Sequence, residues 1–157
     1  MTAVEINNQR FYVLDGSVRN VDGAFSSESA TLAAAKTLPS EGEAFKFDLS
    51  FALEDGGSIT LLPFGKEKLA GSASVKIERS GDQISAVDAQ VPGGEVVSLL
   101  RGLQNNLNAT GRISVTVEAH KHNDETHLFV YPVGGSPKEE NGAELRAIPA
   151  SYRDWET

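Results

Sequence analysis

The sequence predicts a mostly β domain, an antiparallel meander of hairpins that closes into a small barrel or stacks as a sandwich. One amphipathic helix is expected before the last hairpin. Three observations carry this reading. Glycine is plentiful, at 15 of 157 residues, and several glycines follow aspartate or another glycine between β-prone runs. Apolar and polar residues alternate at strand period over several stretches. Only the stretch 95–107 spaces its apolar residues as a helix does and ends without ambiguity.

The elements follow in chain order. A first hairpin is expected from 10–14 and 17–21, turning at Asp15-Gly16, whose backbone accepts the positive φ of a tight turn. The stretch 29–38 stays open between helix, which its alanines favour, and strand; Pro39 would end either. A second hairpin is expected from 45–51 and 58–62 around Glu54-Asp55-Gly56-Gly57. Its first arm puts Phe45, Phe47, Leu49 and Phe51 on one face and Lys46, Asp48 and Ser50 on the other. The third pairs 73–79 with 83–87 across Ser80-Gly81-Asp82. After Pro92-Gly93-Gly94, the residues Val96, Leu100, Leu103 and Leu107 line one side of the predicted helix. The fourth hairpin pairs 112–122 with 126–131, with Ile113, Val115, Val117 and Ala119 turned inward. From Gly134 the chain becomes polar and turn-rich, which divides it into a β domain over 1–133 and a tail over 134–157, flexible or docked.

With 45–53, 58–62 and 75–87 as early strands, the helix falls where an OB-fold places one, so the barrel version is OB-like. Composition fits one soluble globular domain, at 39% hydrophobic and 23% charged. No cysteine is present, which excludes disulfides, thiolate metal sites and a cysteine nucleophile. The formal charge of -8 opposes indiscriminate attraction to phosphate or anionic lipid. No apolar run approaches bilayer length, and the first residues lack a basic segment followed by an apolar one. A cytoplasmic protein with no membrane contact is expected.

The residues best able to carry chemistry gather in the fourth hairpin. His120, His122 and His127 are its three histidines and the only ones in the chain. A turn at Asp124-Glu125 would pair His122 with His127 and place all three imidazoles on the face opposite Val117 and Ala119. Such a set suits a divalent transition metal. The same register sets Phe129 opposite His120 and Tyr131 opposite Glu118, a row of rings able to stack on bases or sugars. Phe64, Lys66, Lys76 and Arg112 are the further candidates for contact with nucleic acid alongside Phe129 and Tyr131. No nucleophile elbow or phosphate-binding loop occurs, and no catalytic residue is assigned. The expected function is a non-catalytic binding module, first of all an OB-like barrel holding single-stranded nucleic acid. The alternative is a protein-interaction or assembly domain, of virion, surface or inhibitor type, which admits a homo-oligomer. A histidine metal site or a carbohydrate-binding sandwich completes the set.

Overall fold

The computed structural model describes residues 3–6, 9–21, 24–34, 44–63, 65, 73–90, 95–103, 111–122 and 125–146. The strands are β1 (Ala3–Ile6), β2 (Gln9–Gly16), β3 (Arg19–Val21), β4 (Ala24–Ala34), β5 (Ala44–Leu62), β6 (Ser74–Ser80), β7 (Gln83–Gln90), β8 (Val96–Ser98), β9 (Arg112–His122), β10 (Glu125–Pro132) and β11 (Gly142–Arg146). The protein is mostly β, as its alternating sequence predicts. No described segment is an α-helix; two single 3₁₀ turns, Leu100–Gly102 and Glu139–Asn141, are the only helical pieces among the described residues.

All these strands join one mixed sheet with β5 at its centre. Along one edge, β5 pairs antiparallel first with β9, from Ala44 opposite His120 to Ala52 opposite Arg112. Beyond its midpoint it pairs antiparallel with β6, from Ser58 opposite Glu78 to Leu61 opposite Val75. Its other edge runs parallel to β4. The sheet therefore forks into a β9–β10–β11 branch and a β6–β7–β8 branch, while β4, β2 and β1 continue the shared side. It does not close into a barrel, which corrects the barrel expectation; the described pairings end at β1, β3, β8 and β11. The buried faces of both branches meet in one core. Phe47, Leu49 and Phe51 pack there with Ile113, Val115, Val117 and Ala119, the inward face expected of β9. Phe11 of β2 meets Phe47 edge-to-face at 5.7 Å.

Two expected hairpins form and two do not. The third reverses at Gly81-Asp82, with Ser80 opposite Gln83. In the fourth, β9 and β10 pair as expected, in a register treated below. At Asp15-Gly16, however, β2 does not turn. It continues along β4 with a bulge between Val13 and Asp15, and the next strand, β3, pairs antiparallel with β4 from Val21 opposite Ala24. Asp15-Gly16 permits a turn locally; the pairing of Phe11 and Val13 with Ala34 and Leu32 carries the strand on through it. Glu54 to Gly57 likewise bulge out of a continuous strand instead of reversing it, opposite the single residue Glu28. The arm before the bulge pairs antiparallel with β9 and the arm after it with β6, so each has an antiparallel neighbour without the other.

The helix expected over 95–107 is also absent. Val96–Ser98 adds to the sheet beside β7, and the Leu99 N–H donates to the Val87 carbonyl at 2.7 Å. Leu99 and Leu103 are buried while Val96 is 56% exposed, so the apolar residues serve an edge strand and a 3₁₀ turn. Leu107 lies outside the described residues. The ambiguous 29–38 stretch is strand as far as Ala34. Beyond Gly134, the chain returns as β11 and pairs with β10 from Phe129 opposite Gly142 to Glu125 opposite Arg146.

Candidate functional site

The outer face of β9 and β10 is polar, and strand period places its residues in rows. Thr116, Glu118 and His120 of β9 lie directly opposite Tyr131, Phe129 and His127 of β10. The expected register places His122 opposite His127; instead His122 pairs with Glu125 and His120 with His127. The difference is a slip of two residues. A slip of two keeps every side chain on its face, so the histidines and aromatics remain together while their partners change.

Glu118 is the unusual member. It is 8% exposed, and Tyr131 and Thr116 beside it are also buried. A buried carboxylate is costly unless hydrogen-bonded. Here the Tyr131 hydroxyl donates to Oε1, while the His120 Nε2 contacts Oε2. Burial pushes the Glu118 carboxyl upward, but the Tyr131 and His120 hydrogen bonds and the charges of His120 and Lys46 outweigh it. The net effect holds the carboxyl below its ordinary value. Tyr131 is pushed up to about 12, by its own burial first and then by the hydrogen bond and charge of Glu118 and the charge of Asp48. The polar ladder continues inward along the face: Thr116 Oγ1 donates to Asp48 Oδ1 at 2.6 Å, and the Ser50 and Ser114 hydroxyls meet at 3.2 Å.

His120 stands at the open end of this ladder, with its side chain 41% exposed and its ring edge-on to Phe129 at 6.0 Å. Both rings line a cleft of about 700 Å³, together with His127, Pro137, Lys138 and Glu139. The wall opposite the histidines comes from the β10–β11 connection. It is shaped by a turn in which the Gly135 N–H donates to the Pro132 carbonyl at 2.9 Å. Buried Asn141 then accepts from the Lys138 N–H at 2.8 Å and donates its own N–H to the Lys138 carbonyl at 3.0 Å. Gly142 makes room for the aromatic wall: a Cβ there would stand 2.6 Å from the Phe129 ring.

The residues singled out from sequence do not form one surface. Phe129, His120 and His127 come together at the cleft. Tyr131 is beside them in sequence but buried in the Glu118 network, which leaves its ring no open face for stacking. Lys76 lies on β6, in the other branch, 3.3 Å from Glu78. Arg112 is half-buried at the start of β9, opposite Ala52. Phe64, Lys66 and the His122 side chain lie outside the described residues. Alternation with Val117 and Ala119 places Glu118 on the histidine face, but nothing in the sequence marks it as buried there. Lys138, Glu139 and Gly142 were assigned to a tail, and nothing local marks them as a cleft wall.

Among the described residues, no group of three or more His, Asp or Glu side chains is arranged as a metal cage. No described helix is long and apolar enough to cross a membrane. Comparison with protein families, with curated proteins and with solved structures finds no match to this chain.

Proposed function

We propose that this protein is a non-catalytic binding module whose ligand engages the cleft between β10, β11 and the Pro137–Glu139 segment. The observation that carries this reading is the cleft itself. Its volume of about 700 Å³ lies in the range of small-ligand sites. It joins aromatic and imidazole rings to one cation and one anion, and it sits on paired strands held from beneath by a satisfied polar network. The ligand class we favour is single-stranded nucleic acid, with a base against Phe129 and a phosphate near Lys138. Stacking of this kind is sequence-tolerant, because every base has a π-face.

A second reading, a protein partner, is favoured by a separate observation. The two described cations among the expected contacts, Lys76 and Arg112, lie on different branches of the sheet, within a chain of charge -8. Fluorescence anisotropy of a labelled single-stranded DNA oligonucleotide, titrated at low and near-physiological salt, separates the two. Saturation that weakens with salt and is lost in Phe129→Ala supports nucleic acid. A flat trace at both salts removes it and leaves the protein partner.

A further inference from the structure

We propose that His120 and His127 form a binding site for one divalent transition-metal ion at the cleft, with Glu118 as the outer-shell partner that orients His120. The pair is built by register: His120 and His127 are directly opposed on β9 and β10. Directly opposed residues of an antiparallel pair hold their Cβ atoms about 4.5–5.5 Å apart. That spacing suits two imidazoles converging on one ion at metal–nitrogen distances of about 2.0–2.1 Å. Both side chains line the same cleft, whose open volume leaves room for water to complete the coordination sphere.

The network behind His120 is the second observation. Metal-binding histidines commonly turn one ring nitrogen to a carboxylate, which fixes tautomer and orientation and makes the other nitrogen a better ligand. His120 has this arrangement in part, with Nε2 on the buried Glu118 carboxylate, so that Nδ1 is the nitrogen it would offer to an ion. Tyr131 in turn fixes the far oxygen of Glu118.

With two protein ligands the site is an exchangeable one, open to chelators. Nitrogen donors select Cu²⁺, Ni²⁺ and Zn²⁺ over Mg²⁺ and Ca²⁺. Glu139 at the rim favours a cation and Lys138 opposes it, so the imidazoles and not the rim charge set affinity. The site does not depend on whether a nucleic acid or a protein also enters the cleft.

The test is calorimetric titration of the untagged full chain, stripped with chelator and dialysed, with CuCl₂, NiCl₂, ZnCl₂ and MgCl₂ in turn. One equivalent of Cu²⁺ is expected to bind, more tightly than Ni²⁺ or Zn²⁺, with no saturable heat from Mg²⁺. Affinity falls about tenfold or more in His127→Ala and in His120→Ala. Glu118→Gln, which keeps the shape and the Tyr131 contact, costs about 10- to 100-fold while far-UV circular dichroism stays native. Should Glu118→Gln fail to fold, the half-exposed His127 decides the matter alone. Absence of saturable Cu²⁺ binding overturns the proposal. So does stoichiometric binding that survives loss of both His120 and His127.

Discussion

Tyr131 keeps its proton to about pH 12 because its hydroxyl is buried against an ionised carboxylate, and ionising it would set two negative charges side by side. Its folded pKa stands above the unfolded value of about 10. The stability it contributes is therefore complete below about pH 10 and is lost as pH rises through 12. Spectrophotometric titration of the three tyrosines should show one late transition, absent in Tyr131→Phe. At neutral pH the same variant leaves Glu118 short of a donor and should cost about 1–3 kcal/mol in urea unfolding. Gly142 offers a contrasting residue. Its φ of -119° suits any amino acid, but an added Cβ would press on the Phe129 ring. Gly142→Ala should thus preserve the fold while moving Phe129, read as altered aromatic proton shifts and weakened cleft binding.

Among the elements, β5 does most to organise the molecule, and its bulge is where it passes from one branch to the other. That bulge is braced from the β6–β7 turn. Asp55 Oδ1 accepts from the Gly81 N–H at 2.7 Å, and Arg79 reaches back to the Leu53 carbonyl at 2.5 Å and to the Gly81 carbonyl at 2.9 Å. Arg79→Ala removes both guanidinium bonds and should destabilise by about 1–3 kcal/mol, measured as a shift in the urea midpoint. Past the bulge in β2, Gly16 closes the strand at φ +74°, where a Cβ would lie 2.0 Å from the Ser29 carbonyl oxygen. Gly16→Ala should cost about 2 kcal/mol or more, since it combines backbone strain with a collision against main chain. Turn-forming residues at both places were plain in the sequence. Whether they would turn the chain or merely bend it was not, because local chemistry is the same for a tight turn and for a glycine bulge.

For the whole molecule, the question is what covers the sheet. Its described outermost strands are short: β3 and β8 have three residues each, β1 four and β11 five. Short edges discourage edge-to-edge pairing, and a charge of -8 adds to that protection. β11 also covers the long β10 strand and contributes buried Ala143 to the core. Removing residues 142–157 would bare that edge of β10 and open one wall of the cleft. The truncated chain should lose cleft binding and self-associate with rising concentration, as sedimentation velocity would show.

The sequence by itself determined the β character, the inward face of β9, the third and fourth hairpins and the gathering of His120, His127 and Phe129 on one face. Each follows from period-two alternation, which survives even the two-residue slip of register between β9 and β10. Tertiary structure alone decided that β5 runs unbroken through Glu54–Gly57, that the stretch after Pro92 joins β7 as a strand, and that Lys138 and Glu139 face the histidines across a cleft. These outcomes rest on partners distant in the chain. A strand takes its hydrogen bonds from whichever neighbour completes the core, and neither the β-bulge nor the cleft wall carries a local pattern that names that neighbour.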